Sequence, residues 1–116
     1  MKQNYNKLVR DKIPEIIENN GSTCVYTTLS EEAYLDSLDV KLFEEVTEYD
    51  MDKSKEELAD ILEVMMSIAK ARGYDWNEIV AIQEKKREER GGFDKRILLL
   101  STEPKKQRSM YARRNY

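Results

Sequence analysis

The sequence has no histidine and a single cysteine in 116 residues, and both facts remove whole classes of site. Without imidazole there is no Ser–His or Cys–His nucleophile pair, no imidazole general base and no histidine-ligated metal. Cys24 alone can form neither an internal disulfide nor a cysteine zinc cluster, which fits a reducing compartment. Any catalysis must therefore use carboxylates, Lys, Arg, Ser, Thr, Tyr, or a metal held by oxygen.

Glycine and long apolar runs are also scarce. The four glycines stand at positions 21, 73, 91 and 92. They form neither a GxGxxG motif nor a P-loop motif, so dinucleotide binding of the Rossmann type and P-loop nucleotide binding are both excluded. The longest apolar run covers residues 97–100, whereas a membrane helix needs roughly 20 residues. The charged N-terminus lacks the apolar region of a signal peptide. We therefore expect a soluble, cytoplasmic protein with no membrane partner.

Charge is abundant and unevenly spread. Charged residues make up 37% of the chain, against roughly 25% in an average soluble protein. Residues 103–116 carry a net charge of +4, which leaves −7 on residues 1–102 of a chain whose total is −3. We divide the chain into a domain, residues 1–101, and a basic tail, residues 102–116, predicted to be mobile. The tail fits a solvated extension, an arm over a partner subunit, or a weak, salt-sensitive contact with nucleic acid.

Apolar periodicity and capping residues predict an all-α protein, a helical bundle with two short extended segments. The extended segments are expected at 23–28 and 96–100, where β-branched, aromatic or leucine residues cluster. The predicted helices run from an Asp11 cap to Gly21, from Ser30 to a break at 50–53, from Ser54 to Gly73, and from Asp75 to Gly91.

The third predicted helix has a wide apolar surface. Met65, Ile68 and Ala69 are expected to face the long second helix, while Val64 and Met66 point to other sides. One neighbouring helix cannot cover such a surface, and an uncovered patch of this size is a liability in a soluble monomer. We therefore expect a homodimer or a homotetramer.

Two pairs of acids flank the break between the second and third helices. Glu45 and Glu48 are three residues apart and so share a helix face, and Glu57 and Asp60 do the same. If the helices pack antiparallel, the pairs face each other, and four carboxylates repel unless cations neutralise them. Mg²⁺ and Mn²⁺ prefer such oxygen ligands. Alternatively, these acids form a solvated face, and Glu57 completes a capping box with Ser54.

The same acids carry a resemblance to a known family. The EExxE pattern of Glu44, Glu45 and Glu48, followed by the ExxD of Glu57 and Asp60, resembles the MazG-like nucleotide pyrophosphohydrolases of the all-α NTP pyrophosphatase superfamily. Three further stretches are similar to its phosphoribosyl-ATP pyrophosphohydrolase-like subgroup, and the resemblance covers residues 5–100. These stretches are YNKLVRDKIP at 5–14, ELADILEV at 57–64, and Lys86…Arg90-Gly91-Gly92-Phe93…Arg96-Ile97.

The resemblance implies a Mg²⁺-dependent hydrolase, with Mn²⁺ as a possible substitute, that cleaves a nucleoside triphosphate between the α and β phosphates. It implies that the metal ligands are Glu45, Glu48, Glu57 and Asp60, and that Glu44 either supports these ligands without touching the metal or acts as a base that orients the attacking water. It also implies assembly as a dimer or a dimer of dimers. Such chemistry suits a chain without histidine, because bound Mg²⁺ can acidify water and a carboxylate can accept the proton.

Four basic residues are candidates for binding the substrate phosphates, since Arg and Lys both contact phosphate well. For two of them, Arg10 and Lys12, a structural ion pair with an acid of the bundle is an equal alternative. For the other two, Lys86 and Arg90, pairing with a neighbouring Glu of the same helix is the default interpretation, and a second subunit could bring them to the acids. Trp76 is expected in the core.

A second function fits the same sequence. The chain could be a non-catalytic helical interaction module whose basic tail binds nucleic acid. Four crowded acids argue against this alternative, because a module without metal has little reason to keep them together. We prefer a role in nucleotide-pool house-cleaning, with the base, the sugar and the use of phosphoribosyl-ATP left open.

Overall fold

The structure, a computed structural model, describes residues 1–104 and contains four α-helices within them. The predicted all-α class is confirmed. Segments 23–28 and 96–100 are irregular chain, and no strand occurs in the described residues. Most of the predicted tail, residues 105–116, lies outside the described part. The helices are α1 (Ile13–Asn19), α2 (Glu31–Asp52), α3 (Lys55–Ala71) and α4 (Trp76–Arg90).

Three helices begin at the predicted capping residues. Ser30 accepts a hydrogen bond from the Ala33 N–H at 3.2 Å, and Ser54 accepts one from the Glu57 N–H at 3.3 Å. Asp75 caps α4 through the Asn77 N–H at 2.9 Å. Each bond satisfies a backbone donor that has no partner inside the helix, which is why these residue types mark helix starts so reliably.

The predicted cap of α1 is wrong. Its N-cap is Lys12, not Asp11, and no side chain caps this end of the helix. Pro14 lies in the first turn, where its fixed φ favours helix and its missing N–H costs nothing. Proline therefore starts α1 without help from an aspartate.

The connection between α2 and α3 is shorter than the predicted 50–53 break. Residues 50–52 stay helical, and α2 ends at Lys53, which adopts a left-handed φ of 56° and donates its N–H to the Tyr49 carbonyl at 2.7 Å. Ser54 then caps α3 at once. This tight reversal folds the two helices into an antiparallel hairpin and brings the C-terminal end of α2 beside the first turns of α3.

The end of α3 is set by Gly73, as predicted. This glycine has a φ of 76° and donates to the Lys70 carbonyl at 3.2 Å, while the Tyr74 N–H reaches the Ala69 carbonyl at 2.8 Å. The two bonds form a Schellman motif, whose left-handed residue is usually glycine because a Cβ would be strained there. The chain then turns into α4, which packs against α3.

The core lies along the α2–α3 interface. Leu38 of α2 and Val64 of α3 are buried, together with Ala69 and one charged residue, Glu45. The prediction for the orientation of α3 is wrong in two places, since Val64 is 7% exposed and Met65 is 41% exposed. Positions 57, 61, 64 and 68 are all at least half-buried, so they form the packed face of α3, and residue 65 lies about 100° away from residue 64.

A second apolar face of α3 stays exposed. We call it the free apolar face, and its members are Leu58, Leu62, Met65 and Met66. Leu58, Met65 and Met66 each lie three or four residues from Leu62, so the four form one stripe that neither α2 nor α4 covers. Within the described part of the chain, none of the four helices is both long and apolar enough to cross a membrane.

The small core predicts a large effect for a single truncation. Leu38→Ala removes the side chain that α2 buries most deeply, and we expect a loss of about 3 kcal/mol in the free energy of unfolding, measured by urea titration with circular dichroism. The matched control is Leu100→Ala, the same change at a residue that is 86% exposed, which should cost less than about 0.5 kcal/mol. Equal losses would contradict the assigned core.

Candidate metal centre

Three carboxylates meet where the α2–α3 hairpin turns. Glu45 comes from α2, while Glu57 and Asp60 come from the first turns of α3, and one oxygen of each lies within 4.8 Å of the others. Two oxygens bound to the same hard cation are separated by at most about twice a ligand distance of roughly 2.0–2.6 Å. The observed spacing is therefore within the reach of one divalent ion. We call this group the three-carboxylate cluster.

Two oxygens of the cluster are buried without a partner. The Oε2 atoms of Glu45 and Glu57 are out of contact with solvent and accept no hydrogen bond from the described residues. Glu45 is only 6% exposed. A buried carboxylate oxygen left without a donor is costly, and a bound cation would remove that cost. These orphaned oxygens distinguish the cluster from an ordinary acidic surface.

The electrostatics of Glu57 reflect this crowding. Loss of solvation raises its pKa to about 7, and the charge and hydrogen bond of Glu48, with the charges of Asp60 and Glu45, add to the rise. In the metal-free protein Glu57 is therefore about half protonated at pH 7. A divalent cation among the same oxygens would favour the ionised form.

The remaining predicted acids lie beside the cluster. Glu48 is exposed, and it is close enough to Glu57 to form a hydrogen bond that affects the Glu57 pKa, but it is not one of the three converging carboxylates. Glu44 is half-buried and faces Lys41, with Glu44 Oε2 3.3 Å from Lys41 Nζ. Three of the four predicted ligands thus come together, with the fourth at their edge. The predicted capping box keeps its Ser54 half, while the Glu57 carboxylate turns toward α2.

The predicted phosphate-binding residues are spread over the chain. Arg10 reaches the cluster, where its Nη2 donates to Asp60 Oδ1 at 2.7 Å, so the structural ion pair left open by the sequence is present. Lys12 is exposed at the start of α1. Lys86 and Arg90 lie on the exposed half of α4, and neither forms an ion pair among residues 1–104. Trp76, expected in the core, is half-buried.

Sequence reasoning missed one residue of this region, Lys41. Its side chain is 18% exposed, and its Nζ lies 3.3 Å from Glu45 Oε1 as well as from Glu44 Oε2. Burial lowers the pKa of Lys41, but its hydrogen bonds and attraction to Glu45 and Glu44 outweigh burial and raise it, so the ammonium stays charged. The sequence signal that could have identified Lys41 is its position three and four residues before Glu44 and Glu45, because residues at these spacings are neighbours on a helix.

Comparison with known proteins adds little to this geometry. No protein-family model matches the chain, and no solved structure matches it. A protein of Mycolicibacterium smegmatis, described as uncharacterized, is 55% identical over 42 residues, which are 36% of this chain and 43% of that protein. The match therefore spans less than half of either chain, and any function must be argued from the residues of the site.

The raised pKa of Glu57 predicts a pH-dependent stability in the metal-free protein. Between its ordinary pKa of 4.5 and its folded value of about 7, the unfolded chain has already lost the proton that the folded chain keeps. The stability that Glu57 contributes is therefore full below about pH 4.5 and is lost as pH rises, so in chelator the melting temperature should fall between about pH 5 and about pH 8. The absence of histidine leaves few other groups to titrate there.

The control for this pH series is a pair of variants on α3. Glu57→Gln removes the titrating group and should flatten the curve, whereas Glu63→Gln, at an exposed acid outside the cluster, should leave the slope in place. A slope that survives Glu57→Gln would show that another group causes it.

Proposed function

We propose that this protein is a Mg²⁺-dependent nucleoside triphosphate pyrophosphohydrolase that releases a nucleoside monophosphate and pyrophosphate. The observation that carries the proposal is the convergence of Glu45, Glu57 and Asp60 at the hairpin turn, where Glu45 and Glu57 each keep one buried oxygen that has no hydrogen-bond partner among the described residues. Hard divalent cations prefer such oxygen sets. The order of sequence blocks that resembles MazG-like pyrophosphohydrolases supplies the reaction.

In the proposed reaction some acids of the site bind the cation and another accepts a proton. Glu45, Glu57 and Asp60 would hold the cation, with Glu48 completing the set from the edge of the cluster. When bound, Mg²⁺ neutralises phosphate charge and lowers the pKa of water. Glu44 accepts the proton of the water that attacks the α phosphorus, and the bond to the β-phosphate oxygen breaks as pyrophosphate leaves.

Binding of the polyphosphate needs cationic side chains in addition to the metal. Arg10 already lies beside Asp60, so a small rotation of its guanidinium would let it contact a phosphate while its aliphatic stem stays in place. Lys12 follows on the same segment. Both residues are exposed, which suits groups that meet a ligand arriving from solvent.

We include a second copy of the chain in the proposal. The free apolar face leaves four large apolar side chains 41–51% exposed, and a two-fold axis beside α3 would bury it against itself. Such a pairing could bring Lys86 or Arg90 of one subunit toward the acids of the other. This would give a role to two basic residues that have no acidic partner among the described residues of one chain.

Activity is tested with a panel of nucleoside and deoxynucleoside triphosphates in the presence of Mg²⁺. We expect pyrophosphate, not orthophosphate, and a loss of at least about 100-fold in kcat/KM for Glu45→Gln or Asp60→Asn, since even the groups that support a metal ligand are worth 10–100-fold. Glu63→Gln is the matched control and should keep full activity. Orthophosphate release would mean that a different bond is cut, and no release at all would favour the non-catalytic alternative.

Assembly is tested by light scattering at low micromolar concentration. Leu62→Glu places a charge in the centre of the free apolar face, so we expect it to convert a dimer or tetramer into monomers. Val25→Glu, at a fully exposed position of segment 23–28, should leave the mass unchanged. A stable wild-type monomer with full activity would refute both the assembly and a site shared between subunits.

A further inference from the structure

Lys41 is the one cation held inside the α2–α3 interface next to the candidate metal centre, among the residues that the structure describes. It lies on α2, three and four residues before Glu44 and Glu45, and its Nζ is 3.3 Å from an oxygen of each. Its side chain is largely buried, so the contact is not a passing surface pair. Neither the resemblance nor the proposed reaction has assigned it a role.

The two oxygens of Glu45 have different surroundings. Oε1 faces Lys41, whereas Oε2 is buried and has no hydrogen-bond partner among the described residues. A carboxylate can rotate about its last bond, so the plane of the group must be fixed if one oxygen is to keep pointing away from its existing partner. The ion pair with Lys41 fixes that plane by holding Oε1.

We propose that Lys41 is a positioning residue, which holds Glu45 through Oε1 so that Oε2 stays available to a divalent cation. This inference rests on the proposed cation site. Groups that hydrogen-bond to a ligating carboxylate orient it and tune its affinity for metal. The same ammonium also holds Glu44, so a single side chain fixes the candidate ligand and the candidate proton acceptor relative to each other.

Charge alone does not account for a lysine at this position. A positive group close to a cation site repels the cation and so weakens binding. Lys41 must therefore favour cation binding through the orientation of Glu45, since a carboxylate that is already held in place loses less rotational freedom when the cation binds. Arg10 is arranged similarly on Asp60, but its side chain is 58% exposed, and exposed pairs of this kind fix a side chain only weakly.

The test separates geometry from charge by comparing two neutral variants in the full chain. Lys41→Gln keeps an N–H donor at the i,i+4 spacing from Glu45 at which helical side chains can hydrogen-bond, and Lys41→Met keeps a similar length without any donor. We expect the Gln variant to bind Mn²⁺ at least about 10-fold more tightly than the Met variant in calorimetric titrations without nucleotide. Both variants lose the same charge, so electrostatic repulsion cancels from the ratio.

Equal Mn²⁺ affinities for the Gln and Met variants would overturn the inference. That outcome is also the one expected of a lysine whose only role is to contact substrate phosphate, because no nucleotide is present. If Lys41→Met loses its helical circular dichroism, Lys41→Ala, which likewise has no donor, takes its place. A wild-type protein that binds no Mn²⁺ would overturn the proposed function itself, and a wild-type protein that binds it while the variants do not differ would overturn the role of Lys41 alone.

Discussion

The burial of Glu45 is the constraint on which this structure depends. A carboxylate that is almost completely removed from water loses its hydration, and only opposite charge or hydrogen bonds can compensate for that loss. Lys41 compensates for one oxygen, the second has no hydrogen-bond partner among the described residues, and two more acids lie close by at the hairpin turn. In the metal-free chain, lost solvation and the neighbouring acids raise the pKa of Glu57 to about 7, which favours its neutral form. The described residues therefore compensate these acids poorly, which supports the proposed cation site.

The hairpin turn makes this crowding possible. Lys53 adopts a left-handed conformation and Ser54 caps α3 directly, so only two residues separate the helices. A longer loop would let the ends of α2 and α3 separate and would relax the repulsion between their acids. The short connection instead sets Glu45 opposite Glu57 and Asp60. Arg10, from the segment that precedes α1, then covers Asp60 from outside.

Few of the apolar side chains that the structure describes are fully buried. Only three apolar side chains are buried among residues 1–104, while the free apolar face of α3 and much of segment 97–100 are exposed. Hydrophobic burial is the main favourable contribution to folding, so a helical hairpin with so small a core gains much from a partner surface. A second copy of the chain would supply that surface, and this connects the stability of the fold to the proposed shared site.

The sequence by itself determined the helices and the pairing of acids along them, because caps, glycine stops and residue spacing act through neighbours on the same chain. Ser30, Ser54 and Gly73 thus ended or began helices as predicted. Only the tertiary structure decided which residues of a face are buried, since that depends on how α2 rotates against α3. It buried Val64 and not Met65, and it placed Glu45 inside the cluster with Glu48 at its edge. It also turned Lys41 from an ordinary helical neighbour into a buried counter-ion, because packing removed water from a pair that spacing alone would leave solvated.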